Sequence, residues 1–229
     1  MLPDKTVIVP VHSECPVANH PNLSFEKIAE FKEKHHDIPF VCYATSPLKT
    51  KLLADFVCIP GEVVQTIESV EGSKVLFAGE RNCANDALQK TTKELINYPL
   101  NPVCNVYNSA DASDVQYWRQ RYPESQVLVH PECKGEVLEA ADKVMGTGEM
   151  YQHIADSDAE TFILGTEMGF WERAKKEFPD KQIIHLSPFL MCNAFKVFRI
   201  ETVLDALEDR GTRIRVDQVV ANKVAALLN

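Results

Sequence analysis

Short apolar runs alternate with amphipathic stretches along much of the chain. The runs at 40–43 and 127–130 are rich in β-branched and aromatic residues, and proline follows each within a few residues. Two further runs, at 74–77 and 161–164, each lead into a stretch with helical spacing. Short buried strands that alternate with helices are typical of parallel βαβ units. The pattern therefore predicts a layered α/β fold.

The chain also repeats itself. About half of the positions are identical when residues 54–67 are aligned with residues 141–154 without gaps. The four apolar runs extend this repeat on both sides of the aligned windows. Self-similarity of this kind indicates duplicated structural units. We expect tandem, pseudo-repeated three-layer αβα domains with short parallel sheets.

The repeat predicts four segments. Residues 1–14 form a terminal strand segment that leads to the first cysteine. Residues 15–103 form the first αβα domain, and residues 104–191 form the second. Residues 192–229 form a C-terminal segment that we expect to be helical, because its apolar residues follow helical spacing.

Composition and charge narrow the functional classes. The chain has 24 basic and 33 acidic residues among 229, a net charge of −9, and 45% hydrophobic residues. A negative surface repels phosphate backbones, so we expect no nucleic-acid partner. No apolar run reaches the roughly 18–20 residues that span a bilayer, and the N-terminus has no export signature. We expect a cytoplasmic protein with no membrane partner.

Three of the seven cysteines follow the period of the repeat. Cys15, Cys104 and Cys192 are separated by 89 and 88 residues, and each follows an apolar segment. Ligands gather at the carboxyl ends of strands in parallel sheets, so equivalent cysteines can converge there. Three thiolates suit zinc with one open position or a 4Fe-4S cluster with one unligated iron. Ordinary buried thiols are the remaining interpretation.

The sequence resembles the quinolinate synthase family over almost its whole length. The most specific similarity is the Val-Leu-Val-His-Pro-Glu-Cys run at 127–133, followed by Gly-Thr-Gly-Glu-Met at 146–150. The other similar segments, in chain order, are 3–10, 14–19, 41–46, 104–107, 165–169 and 191–196.

The resemblance implies three similar α/β domains around a pseudo-threefold axis, with a 4Fe-4S cluster at the centre. It implies that Cys15, Cys104 and Cys192 bind the cluster, whereas Cys133 does not. The family reaction condenses iminoaspartate with dihydroxyacetone phosphate and then dehydrates and closes the ring to quinolinate. The unligated iron would act as a Lewis acid.

This sequence departs from the family pattern at several positions. Family members have a further N-terminal domain, so two of the three domains are expected here. Tyr107 replaces a histidine, and a phenol with a pKa near 10 is a poor base at neutral pH. Thr45 replaces an asparagine, residues 59–61 replace a Thr-Ser pair, and Gly79-Glu80 replaces a Pro-Asp pair.

The resemblance also implies which other residues form the site. His130 and Glu132 form the acid–base pair, with Tyr43 and Tyr107 as further catalytic residues. Thr45 and Thr147 bind a carboxylate or phosphate of the substrate. The resemblance implies an enzyme with a small-molecule substrate, either a short quinolinate synthase or a paralogue that uses the open iron for a related dehydration or condensation. The alternative is a non-catalytic cluster-binding subunit, carrier or sensor. We expect a homodimer, or a partner subunit that replaces the missing domain.

Overall fold

The computed structural model describes residues 6–10 and 15–227. Parts of the predicted terminal segments lie outside the described residues, namely 1–5, 11–14, 228 and 229. They include residues 3–5 and Glu14 of the segments that resemble the family. No helix in the described part of the chain is long and apolar enough to span a bilayer.

The first repeat holds a parallel sheet of four strands. Helix α1 (Phe25–Glu33) precedes strand β2 (Phe40–Tyr43), and strand β3 (Phe56–Cys58) follows through a short 3₁₀ turn. Helix α2 (Val63–Ser69), strand β4 (Lys74–Ala78), helix α3 (Arg81–Lys90) and strand β5 (Glu94–Asn97) complete it. The strand order is β3-β2-β4-β5, and every pair is parallel.

The second repeat has the same order of elements, except that helix α5 stands where the first repeat has the 3₁₀ turn. Helix α4 (Ala112–Arg121), strand β6 (Gln126–Val129), helix α5 (Gly135–Ala140) and strand β7 (Lys143–Val144) form its first half. Helix α6 (Thr147–Asp156), strand β8 (Thr161–Gly165), helix α7 (Met168–Glu177) and strand β9 (Gln182–His185) form its second half. The sheet order β7-β6-β8-β9 is the order of the first sheet shifted by one repeat. The prediction of tandem αβα units is therefore confirmed.

Each sheet is buried on both faces because alternate side chains of its central strands point to opposite sides. In the first repeat, Val41 and Phe77 pack against α2 and α3, whereas Phe40 and Leu76 pack against α1. In the second repeat, two equivalent clusters flank the sheet. Burying one large apolar side chain contributes about 1.5–3 kcal/mol, so the short, largely apolar central strands are stable in this setting.

A third, small sheet joins the two ends of the described chain. Strand β1 (Val7–Val9) pairs antiparallel with strand β10 (Thr212–Ile214), so that Val7 lies opposite Ile214. Helices α8 (Ile200–Leu207) and α9 (Gln218–Ala226) flank β10. The segment expected to be helical therefore also contains a strand, because its exposed Thr-Arg-Ile run finds an edge to pair with in β1.

Candidate active site

Tyr43 and Glu132 meet between the two repeats. Tyr43 is the last residue of β2, and Glu132 lies in the loop that follows β6. The Tyr43 hydroxyl donates a 2.5 Å hydrogen bond to Oε1 of Glu132. Tyr43 is fully buried, and Glu132 is only 8% exposed. A second hydrogen bond in this region runs from Nδ2 of Asn82 to the Glu132 carbonyl, at 2.9 Å.

Burial controls the protonation of both groups. Burial raises the pKa of Glu132, and hydrogen bonds from Tyr43 and the Cys104 thiol act in the opposite direction. Burial also raises the pKa of the Tyr43 phenol, as do the nearby Cys83 thiol and the Glu132 carboxylate. A carboxyl whose pKa is raised is suited to proton transfer, because both of its forms become accessible closer to neutral pH. Tyr43 remains the proton donor of the pair.

His130 stacks on Tyr107. The two rings are nearly parallel, with centroids 4.1 Å apart and an angle of 10° between their planes. Burial lowers the pKa of His130 from 6.5 to about 3, so the imidazole is neutral. Its Nδ1 accepts a 3.3 Å hydrogen bond from the Glu132 backbone N–H, which leaves the proton on Nε2. The neutral ring is therefore a hydrogen-bond donor at Nε2.

The acid–base role predicted for His130 and Glu132 stays a prediction. Both residues are buried close to each other, but the side chain that binds the Glu132 carboxylate is Tyr43. Tyr107 lies in a short 3₁₀ turn just after Cys104, and burial raises the pKa of its phenol. Tyr107 is therefore neutral and cannot serve as a base.

The two predicted substrate-binding threonines are more open to solvent. Thr45 is exposed, and Thr147 is partly exposed at the first position of α6. The loop that contains Gly61 packs on the start of α6, and a Cβ at Gly61 would lie 2.7 Å from a Glu149 carboxylate oxygen. The loop that departs from the family pattern therefore lies against the helix that begins at Thr147. The binding role of both threonines stays a prediction.

The seven cysteines fall into two groups. All seven are free thiols. Those outside the repeat period are buried, namely Cys42, Cys58, Cys83 and Cys133. Those that follow the period are the partly exposed ones, Cys15, Cys104 and Cys192. The interpretation as core thiols therefore applies to the first group, not to the second.

The three partly exposed cysteines share a local conformation. The Cys15 carbonyl accepts a 3.0 Å hydrogen bond from the N–H of Asn19, four residues later. The Cys104 carbonyl accepts in the same way from Asn108 at 2.9 Å, and the Cys192 carbonyl accepts from Lys196 at 3.3 Å. Each cysteine therefore begins a tight turn.

The donor set is chemically suited to an iron–sulfur cluster. Three free, partly exposed thiols in turns that follow apolar segments could bind a 4Fe-4S cluster and leave one iron without a protein ligand. Within residues 6–10 and 15–227, no three His, Cys, Asp or Glu side chains are arranged to hold a metal ion. The convergence of Cys15, Cys104 and Cys192 on one cluster therefore stays a prediction.

Two acidic residues of structural interest were not predicted from the sequence. Glu80 follows β4, and Glu167 occupies the equivalent position after β8. The repeat could have indicated that these two glutamates are equivalent, because Gly-Glu at 79–80 and Thr-Glu at 166–167 both follow a central strand.

Fold and site together define a class: a duplicated α/β protein in which three partly exposed cysteines and the buried His130 and Glu132 lie in loops outside the helices and strands. The family described as Quinolinate synthetase A protein matches residues 1–229. The chain is 34% identical to a quinolinate synthase of Alkaliphilus metalliredigens, over 99% of this chain and 74% of that protein. It is 35% identical to a quinolinate synthase of Thermotoga maritima, over 96% of this chain and 73% of that protein.

A quinolinate synthase of Methanothermobacter thermautotrophicus is 33% identical, over 96% of this chain and 72% of that protein. The chain belongs to the quinolinate synthase family.

Proposed function

We propose that the chain is an enzyme of NAD biosynthesis with quinolinate synthase activity. It condenses iminoaspartate with dihydroxyacetone phosphate, releases phosphate and water, and closes the pyridine ring. Family membership supports the activity. The observation that carries the proposal further is the shared turn at Cys15, Cys104 and Cys192, the three cysteines outside the hydrophobic core.

These three cysteines would hold a 4Fe-4S cluster. When bound, a cluster with one iron free of protein ligands supplies a Lewis acid for substrate oxygens. Glu132 lies close to Cys104, and its Tyr43 partner holds the carboxylate in one orientation. Glu132 is therefore the group that we propose to move protons between substrate positions.

The neighbouring residues bind and orient the substrate. Neutral His130 offers its Nε2–H to a substrate oxygen, because Nδ1 already accepts from the Glu132 backbone. The start of α6 supplies the Thr147 hydroxyl at a helix N-terminus, which favours a carboxylate or phosphate. The stacked Tyr107 ring covers one face of His130 and keeps water from it.

The test begins with anaerobic purification and cluster reconstitution. We expect about four iron and four sulfide per chain, the content of a 4Fe-4S cluster. Cys104→Ala should lose them, whereas Cys42→Ala, which removes a buried core thiol, should keep them. Near-zero iron on folded wild-type protein would overturn the cluster proposal.

Quinolinate formation is then measured on the loaded protein. Glu132→Gln keeps the shape of the side chain but removes its acid–base function, so we expect activity to fall by roughly 10²–10⁴-fold with iron content unchanged. If the loaded wild-type chain forms no product and only cysteine substitutions have any effect, the non-catalytic cluster-binding subunit, carrier or sensor is the correct assignment.

The surface supports a proposal about assembly. Many large apolar side chains between residues 189 and 219 are exposed, among them Phe189, Phe195, Ile200, Leu204, Leu207 and Val219. Exposed apolar surface of this extent is typical of an interaction face. We propose that a second copy of this chain covers it, and a separate partner subunit is the alternative outcome of the test given below.

A further inference from the structure

Glu80 connects a helix to the loop that carries a predicted cluster ligand. It is the N-cap residue of α3 and is fully buried. Its Oε2 accepts a 2.9 Å hydrogen bond from the N–H of Cys83, inside that helix. Its Oε1 accepts a 3.1 Å hydrogen bond from the N–H of Cys104, 24 residues away.

Glu167 repeats this arrangement in the second unit. It is the N-cap residue of α7, and its Oε2 accepts a 2.6 Å hydrogen bond from the N–H of Gly169. Its Oε1 accepts a 3.0 Å hydrogen bond from the N–H of Cys192, 25 residues away. Lys196, in the turn that begins at Cys192, lies 3.7 Å from the same oxygen.

A backbone hydrogen bond reinforces each connection. The N–H of Arg81, the first residue of α3, donates to the Pro102 carbonyl at 2.8 Å. The N–H of Met168, the first residue of α7, donates to the Leu190 carbonyl at 2.8 Å. Both carbonyls lie two residues before a cysteine, so each cysteine segment is attached at two points to the start of a helix.

Helix capping alone does not account for these contacts. A capping carboxylate needs only the free N–H groups of its own first turn. Asp217, the N-cap residue of α9, shows that simpler case, because one oxygen accepts from both Val219 and Val220 within the helix. Glu80 and Glu167 each use one oxygen for the helix and the other for a cysteine N–H in a distant loop.

We propose that Glu80 and Glu167 are positioning residues that orient Cys104 and Cys192 toward the iron–sulfur cluster. The proposal rests on the cluster assignment made above. Fixing the N–H of a cysteine fixes its backbone, and with it the direction of the Cα–Cβ bond that carries sulfur. Partners outside the ligand set that orient metal ligands commonly contribute roughly 10–100-fold to metal affinity.

The experiment compares Glu80→Gln and Glu167→Gln with wild type, each reconstituted as the full chain. Glutamine keeps the size of the side chain but replaces one oxygen with a donor, so only one of the two N–H groups stays bonded. Asp217→Asn is the matched control, because it alters a helix-capping carboxylate that contacts no cysteine. The readouts are the rate of iron release to a chelator, the EPR spectrum of the reduced cluster and the thermal unfolding of the apoprotein.

We expect iron release to be roughly tenfold or more faster in both Gln variants, with a changed EPR spectrum and with Asp217→Asn unaffected. Equal release rates and spectra in wild type and both variants would overturn the positioning role while leaving the cluster assignment intact. A wild-type chain that binds no cluster would instead refute both.

If Glu80→Gln unfolds because its carboxylate is fully buried, Glu167, which is 9% exposed, carries the test alone. Amide hydrogen exchange then provides a second measurement. We expect faster exchange at Cys192 in Glu167→Gln, and exchange unchanged from wild type would count against the proposal.

Discussion

Tyr43 and His130 occupy equivalent positions in the two repeats. In the first sheet, Cys42 lies opposite Ala78 on the neighbouring strand. In the second sheet, the pair at the same position is Val129 and Gly165, and each of these residues lies 87 positions after its counterpart in the first pair. Tyr43 and His130 are the residues that follow these pairs. One supplies a phenol that donates to Glu132, and the other supplies an imidazole that stacks on Tyr107. A duplicated scaffold therefore presents two different chemical groups from the same position.

Removing the Tyr43 hydroxyl should impair catalysis more than folding. In Tyr43→Phe the ring still fills the core, but the Glu132 carboxylate loses its 2.5 Å hydrogen bond and its fixed orientation. We expect quinolinate formation to fall by about 10-fold or more. Stability should fall by about 1–3 kcal/mol, because the buried carboxylate loses one of its two side-chain donors and keeps only the Cys104 thiol.

Tyr98→Phe is the matched control for that change. Tyr98 is also buried, but it packs edge-on against Phe31, away from Glu132. We expect its activity to stay at the wild-type level in the same quinolinate assay. Equal activity of Tyr43→Phe and wild type would contradict the role given to the hydroxyl.

Neutral, buried His130 should make the protein acid-sensitive. Its pKa is about 3 in the folded protein and 6.5 when unperturbed, so between these values the unfolded chain binds more protons. The contribution of His130 to the free energy of unfolding is therefore complete above pH 6.5 and decreases as the pH falls toward 3. From pH 7 to pH 5 we expect a loss of about 1–2 kcal/mol from this residue.

Urea unfolding of wild type and His130→Asn at pH 7 and pH 5 measures this contribution. Acidification should destabilise wild type more than the variant. The other buried titratable groups are the same in both proteins, so the difference between the two reports on His130. Identical pH dependence of the two proteins would show that His130 is protonated without penalty in the folded state.

Gly79 should not tolerate a side chain. A Cβ there would lie 2.6 Å from the Tyr43 Cβ and 2.8 Å from the Phe77 ring. We expect Gly79→Ala to displace Tyr43, to cost about 1–3 kcal/mol and to reduce activity through the Tyr43–Glu132 contact. In Gly135→Ala the new Cβ meets no atom of the described residues within 4 Å, so this control should unfold at the wild-type temperature.

The apolar face of α8 should control assembly. Leu207 is 80% exposed on this helix, although a leucine is favoured in a buried setting. We expect sedimentation to give a dimer for wild type and a monomer for Leu207→Glu. Leu88→Glu, an exposed leucine on α3, is the control that should leave the mass unchanged. A monomeric wild-type chain at micromolar concentration would contradict the homodimer and favour a different partner subunit.

The repeat made most of the fold predictable from the sequence. The runs at 40–43 and 127–130 overlap β2 and β6, and those at 74–77 and 161–164 lie within β4 and β8, because fully apolar strands have a strong local signature. The C-terminal strand β10 had no such signature. All three of its residues are exposed, and its pairing with β1 depends on a partner about 200 residues away.

The site was predictable at the level of residue types but not of contacts. The period singled out the three cysteines, and the similar motif singled out His130 and Glu132. Which side chain binds Glu132 depends on how the two repeats pack, and no local pattern encodes that Tyr43 reaches across. The same holds for Glu80, whose second hydrogen bond spans 24 residues.

The antiparallel pairing of β1 with β10 makes the first cysteine dependent on the opposite end of the chain. Strand β1 ends six residues before Cys15, and within the described residues it pairs with β10. Proteolytic cleavage between α8 and β10 would weaken the pairing that holds β1, the strand that precedes Cys15 in the chain. Under the cluster proposal, a preparation cleaved in this region should lose iron while both parallel sheets stay folded, although the region contains none of the three proposed ligands.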